Sequence, residues 1–259
     1  MKNIFRISYL LILLLAGTIH GNAAEKVELL KTDWSFKGLF GKFDRGSLQR
    51  GYQVYTEVCA SCHSMKYVSY RNLFEPGGPE FSEDQAKAIA ANFEVTDGPN
   101  SDGEMFIRPA KLSDKFVMPF ANVKAAQAAN GGAYPPDMSV LAKARSGGVD
   151  YIYSVLLGYE DPPSGVTLDD GVYYNKYMYG NNIKMSEPLS DGLVEYSDGT
   201  IASKKQMAKD VTTFLMWTAE PHLEARHKMG FKAILYLIIL TILVYFSMKK
   251  IWSRIESEV

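Results

Sequence analysis

The chain has only two cysteines and four histidines in 259 residues. That scarcity excludes a disulfide-stapled scaffold and leaves little material for a structural zinc site, which takes four thiolate or imidazole ligands. No internal repeat and no low-complexity tract is present, which argues against solenoids and long disordered regions. Alternating apolar–polar runs are scarce, so an all-β class is not expected. An excess of positive charge is also missing. Residues 25–228 hold 22 Lys+Arg against 27 Asp+Glu, a net of −5. Nucleic acid is therefore not an expected partner, and a basic protein suits the surface better.

What the chain does hold is concentrated. Both cysteines fall in Cys59-Ala60-Ser61-Cys62-His63, which is C-x-x-C-H, the attachment signature of a c-type haem. Two thiols three positions apart can form thioethers to one haem, and the adjacent imidazole can coordinate the iron. Three rival readings compete. A redox C-x-x-C belongs beside a βαβ pattern, whereas Arg50, Val54 and Tyr55 before the motif show no strand pattern. A zinc site lacks a fourth ligand beside Cys59, Cys62 and His63. A disulfide between Cys59 and Cys62 would close a very short loop and stabilise little.

The two ends are apolar. Lys2 and Arg6, the apolar run 9–16 and the small residues Gly21, Ala23 and Ala24 predict a signal peptide over 1–24. Near the other end, residues 233–248 carry no charge and are flanked by Lys232, Lys249 and Lys250. They would span about 24 Å as a helix, short of a ~30 Å hydrocarbon core, with lysines snorkelling at both ends and Phe231 and Trp252 in the interfaces. The expected organisation is a signal peptide at 1–24, an exported haem domain at 25–228, a transmembrane anchor at 229–250 and a cytoplasmic tail at 251–259. Lys/Arg flanks are nearly balanced, so the signal peptide sets the orientation.

Between the ends the pattern is helical. Residues 25–44, with Trp34, Phe36 and Phe40 among glycines, read as an extended arm. Ser47 opens a helix running into the haem motif, with Leu48, Tyr52 and Tyr55 on one face. Ser82/Gln85 and Ser203/Gln206 are capping boxes starting two further helices, the second with a stripe of Met207, Val211, Phe214, Leu215 and Thr218. Shorter helices are predicted at 122–129, after Pro135-Pro136, and at 150–157. Residues 92–121 and 159–202 read as long loops, which are often functional. The fold class is mainly α with large loop insertions and one C-terminal membrane helix.

A haem held by His63 has a second axial position. Met105, Met118, Met138, Met178 and Met185 are candidates, each with gap-filling as its ordinary use. Met185 lies in a loop before the last soluble helix, where small c-type cytochromes place a distal methionine.

The chain resembles the cytochrome c1 family, the haem subunits of the cytochrome bc1 complex. The resemblance rests on 50–55 leading into 59–65, on 97–100 with 102–106, and on 108–114. It continues through 128–133 with Pro135-Pro136-Asp137, Arg145, Gly147-Gly148, Asp150-Tyr151 and Gly158-Tyr159. It closes on 208–211, Trp217, Ala219-Glu220-Pro221 and the terminal span. It implies a class I c-type cytochrome core with one covalent haem c. Cys59 and Cys62 would carry the thioethers, His63 the proximal nitrogen and Met185 the distal sulfur. Arg145 would pair with a propionate, and Pro135, Pro136 and Tyr151 would line the pocket. The implied role is a non-catalytic redox subunit of ubiquinol–cytochrome c reductase in the bacterial inner membrane. It would be single-pass, with its haem domain in the periplasm. It would take one electron from the Rieske iron–sulfur protein, beside cytochrome b, and pass it to a soluble or membrane-anchored cytochrome c. The acidic residues Asp97, Asp102, Glu104, Glu160, Asp161, Asp169 and Asp170 would steer a basic cytochrome. Some bacterial members carry a further cysteine pair as a disulfide; this chain has none. A free-standing membrane-anchored cytochrome shuttle and a haem-free thiol–disulfide oxidoreductase are the alternatives.

Overall fold

Asp44, not Ser47, opens the first helix. Its carboxylate accepts the Ser47 backbone N–H at 2.7 Å, so the cap lies three residues earlier than a serine cap would place it. The computed structural model describes residues 27–256; the signal peptide expected at 1–24 lies outside them. Helix α1 (Arg45–Val54) continues into a widened π turn, Tyr55–Cys59, and so reaches the haem motif without a break. Helix α2 (Glu83–Ala91) starts at the predicted box, with Ser82 and Gln85 exchanging both bonds. Helix α3 (Val123–Ala129) is capped by Asn122. Helices α4 (Leu141–Ala144) and α5 (Gly148–Leu157) follow.

Helix α6 (Lys204–Ala219) is capped by Ser203, but only half of the expected box forms. Gln206 N–H meets Ser203 Oγ, while the Gln206 side-chain amide donates to Asp210 instead. The long loops are also less bare than expected. Residues 92–121 contain an antiparallel pair, β1 (Glu94–Asp97) with β2 (Phe106–Pro109). Residues 159–202 contain a second, β3 (Tyr173–Tyr174) with β4 (Asn182–Ile183). The described chain remains mainly helical.

Helices α1 and α6 cross at the centre of the core. Leu48, Val54, Met207, Val211, Phe214 and Leu215 are essentially closed to solvent. Gly51 sets the closeness of the crossing: a Cβ there would lie 2.2 Å from the Asp210 carbonyl oxygen and 2.7 Å from Phe214 Cβ. Beside it, Arg50 grips the fully buried Asp210 carboxylate with two bonds of 2.9 and 3.2 Å. The same guanidinium also reaches Asp198 at 2.6 Å. Burial opposes the Arg50 charge, and the two carboxylates outweigh it, raising its pKa further. Tyr52 and Tyr55 extend the core into an aromatic cluster with Phe81, Phe116, Tyr70 and Phe214.

The N-terminal arm is strapped across the domain. Trp34, Phe36 and Phe43 are buried. The buried carboxylate of Asp150 on α5 accepts from Trp34 Nε1 at 2.6 Å, Lys31 Nζ at 3.1 Å and Lys37 Nζ at 3.3 Å. Burial alone would raise the Asp150 pKa; these donors more than offset it and hold it below the ordinary value.

Helix α7 (Leu223–Glu256) is one unbroken element of 34 residues, about 51 Å long. Residues 229 and 250, expected as anchor boundaries, mark no break in it. Its first turn packs on the domain. Glu224 is buried and accepts the Phe43 N–H at 3.0 Å and the Arg45 guanidinium, and Glu220 pairs with Lys143 and Arg226. From 231 to 254 every residue is exposed, and the helix is long and apolar enough to cross a membrane.

Candidate haem-binding site

The C-x-x-C-H segment hangs from the π turn. Ala60 N–H bonds to the Tyr55 carbonyl at 2.8 Å, five residues back, and the Cys59 carbonyl then accepts from both Cys62 N–H (3.1 Å) and His63 N–H (2.9 Å). This folds 59–63 into one compact turn carrying both thiols and the imidazole. Single π turns inside helices recur at functional sites. Tyr55, buried under the motif, donates its hydroxyl to the His63 carbonyl at 3.2 Å.

The His63 ring is buried and oriented. Its Nδ1 lies 2.9 Å from the Pro136 carbonyl oxygen. A carbonyl only accepts, so Nδ1 carries the proton, and Nε2 keeps its lone pair for a metal. Burial lowers the His63 pKa, with partial opposition from the Pro136 bond, which favours the neutral ring that ligation requires. Asp137, next to Pro136, accepts from Ser64 Oγ (2.8 Å), Lys66 N–H (3.0 Å) and Ser139 N–H (3.0 Å). Asp137 has no role in the sequence reading, yet it pins the strand of chain leaving His63 to the Pro135-Pro136 loop. An aspartate two residues before a serine, just after two prolines, is the local signal for such a turn.

The rival readings of the cysteines meet the geometry differently. Both thiols are free. The residues leading into them are helical, unlike the strand a thioredoxin motif needs. Among the described residues no three His, Cys, Asp or Glu side chains gather as a metal cluster. Cys59 packs against the core while keeping some solvent contact, and its apolar surroundings push the thiol up to about 12.

The remaining candidates divide. Met185 is half-buried in a segment tied at two points: Tyr159 donates its hydroxyl to the Met185 carbonyl at 3.1 Å, and Lys184 Nζ reaches the Gly131 carbonyl at 2.9 Å. The 130–139 loop therefore touches both the His63 and the Met185 segments. Tyr159 is a second supporting residue without a role in the sequence reading. Tyr151 on α5 donates to Met178 Sδ at 3.2 Å. Met105 and Met118 are exposed and Met138 belongs to the core, so Met178 and Met185 are the half-buried methionines of the five. Pro135 is half-buried beside Pro136. Arg145 is exposed, and its side chain donates to the neighbouring Ala144 carbonyl; among the described residues no hydrogen bond or ion pair joins that side chain to the other candidates. A cleft of about 430 Å³ beside α1, walled by Arg50, Phe81, Phe93 and Asp198, is lined by none of the candidate residues.

The sequence profile of the Cytochrome C1 family matches residues 34–255. The chain belongs to the cytochrome c1 family. A protein of Rhodospirillum rubrum named cytochrome c1 is 45% identical over 262 residues, covering 95% of each chain. One of Arabidopsis thaliana, named cytochrome c1 1, heme protein, mitochondrial, is 48% identical over 225 residues, 87% of this chain and 72% of its own. A Bradyrhizobium diazoefficiens protein named cytochrome b/c1 is 53% identical over 239 residues, 85% of this chain but 35% of that protein. Cytochrome c1 proteins are haem proteins, and the donor set at 59–63 fits that cofactor: two unpaired thiols and a neutral imidazole whose outer nitrogen is already engaged.

Proposed function

We propose that this chain is the haem-carrying electron-transfer subunit of a ubiquinol–cytochrome c reductase. It accepts one electron from the Rieske iron–sulfur protein and passes it to cytochrome c. The observation that carries the reading is the C-x-x-C-H turn with His63 Nδ1 fixed on the Pro136 carbonyl, in a chain of the cytochrome c1 family. Cys59 and Cys62 would hold haem c by thioethers, and His63 Nε2 and Met185 Sδ would ligate its iron. The haem so held would supply one-electron exchange. Ligation by both His63 and Met185 would exclude oxygen, and a thioether ligand would favour a high potential. Pro136 and Asp137 keep the imidazole plane from turning. Tyr159 and Lys184 restrain the methionine loop. Pro135 and Tyr151 would wall the pocket in a class I cytochrome core, and Arg145 would swing from solvent to a propionate.

Helix α7 would anchor the chain in the membrane beside cytochrome b, with residues 25–228 on the periplasmic side after removal of 1–24. The name of the Bradyrhizobium relative, which joins b and c1, supports cytochrome b as the partner. Of the acidic residues assigned to steering, Asp97 is engaged by Arg108, whereas Asp102, Glu104, Glu160, Asp161, Asp169 and Asp170 are exposed and free to act at long range.

Gentle detergent purification tests this reading. The expected result is a c-type pyridine haemochrome band on this chain, co-purifying with a b-type cytochrome and an iron–sulfur protein. A c-type band on a chain that purifies alone would point to a free shuttle, and the absence of the band would remove haem altogether.

A further inference from the structure

Residues 38–41 form a tight turn at the tip of the N-terminal arm, closed by Gly41 N–H on the Gly38 carbonyl at 3.2 Å. Gly38 has a φ of +88°, and a Cβ at Gly41 would sit 2.3 Å from the Phe36 carbonyl oxygen, so both glycines are required by the shape. The aromatic residues on either side of the tip, Phe36 and Phe43, are buried at 3% and 4% exposure. The two at the tip are not: Leu39 is 61% and Phe40 70% exposed.

Single exposed apolar residues are ordinary. These two are not single, because they continue the apolar surface of α7. The Phe40 ring meets Phe231 edge-on at 5.7 Å. The Gly41 carbonyl accepts from His227 Nδ1 at 3.2 Å, and Glu224 holds Phe43 and Arg45 one turn earlier. The tip is thus fixed to the helix at the level of Phe231. That residue lies two positions, about 3 Å of helix, before the uncharged run begins. Exposed Lys42, Lys228 and Lys232 stand at the same level, as lysines do where a chain meets phospholipid headgroups.

We propose that the 38–41 turn is a second membrane contact, with Leu39 and Phe40 seated in the interfacial layer of the bilayer that α7 crosses. The proposal rests on the reading of α7 as a membrane anchor. With one helix alone, helix and domain could tilt and rotate together in the bilayer. A second contact point fixed to the first by three hydrogen-bonded residues sets the height and orientation of the domain over the membrane.

Photocrosslinking in the full-length holoprotein in membranes tests it, with p-benzoylphenylalanine replacing Leu39, Phe40 or, in the middle of the helix, Leu237. The c-type spectrum of each variant verifies folding, and Leu39 serves as a second tip position should replacement of Phe40 disturb its contact with Phe231. The expected product at each site is the chain plus the mass of one phospholipid. A lipid adduct at Leu237 with crosslinks to another protein at the tip, or with no tip adduct, overturns the second contact and leaves the anchor standing. Loss of the lipid adduct at Leu237 overturns the anchor and this inference with it.

Discussion

At the scale of single residues, the thiols and the imidazole were legible because covalent haem attachment demands fixed residue types at fixed spacing. Their support was not. The group that orients His63 is a backbone carbonyl at Pro136, and a carbonyl has no sequence signature. Asp137 accepts main-chain N–H groups, and Tyr159 donates to a main-chain carbonyl. Met185 stood out from the sequence only by its position before the last soluble helix; of the five methionines, it and Met178 are the half-buried ones. Replacing it separates these two. Met185→His should leave haem covalently attached and lower the reduction potential by on the order of 0.1–0.3 V, within the ~0.8 V range that axial ligands command. An optical redox titration measures this, and an unchanged potential, together with a fall in Met178→Leu, would transfer the ligand role to Met178.

At the scale of elements, caps and stripes were readable because both are local. Ser82 with Gln85, Asn122, and the buried stripe from Met207 to Thr218 all sit where the pattern put them. The hairpin β1–β2 escaped because four-residue strands are too short to show a period, and Asp44 displaced Ser47 as cap because either can accept the same kind of N–H. The crossing of α1 and α6 was unreadable for a different reason: Arg50 and Asp210 lie 160 positions apart, and nothing local ties them. Gly51 is its most sensitive point. Gly51→Ala should lower stability by about 3 kcal/mol, the upper range for overpacking, because the added methyl meets backbone that cannot yield. Urea unfolding followed by circular dichroism would show it as a lower midpoint with an unchanged slope. The arm strap gives a pH-dependent prediction. Asp150 has a depressed pKa in the folded chain, so its contribution is complete above the unfolded value of about 3.9 and is lost as pH falls through the lower folded value. Asp150→Asn should cost about 1–3 kcal/mol at pH 7. The difference from the parent chain should shrink below about pH 4, read from melting temperatures across pH.

At the scale of the whole molecule, the domain and α7 are joined more firmly than a flexible linker would allow. Helix α7 begins at Leu223, and its first turn belongs to the domain core through Leu223 and Glu224. A chain ending at Lys228 keeps those contacts and loses the exposed apolar surface. It should fold, bind haem and appear in the soluble periplasmic fraction, whereas the full chain should stay with the membrane pellet; haem staining of the two fractions distinguishes them. Ending the chain before Leu223 should additionally weaken the domain, since the Arg45 charge and the Phe43 N–H would lose Glu224.

The distance in sequence between Arg50 and Asp210 also has a consequence in time. The two helices that close the core emerge 160 residues apart, which at a synthesis rate of about 5–20 residues per second is roughly 8–32 s. During that interval α1 and the neighbouring Cys59 and Cys62 are already made, but their partner helix is not. Until α6 follows, α1 lacks the helix that closes the core, so the segment carrying Cys59 and Cys62 is made before the interior on which Cys59 packs.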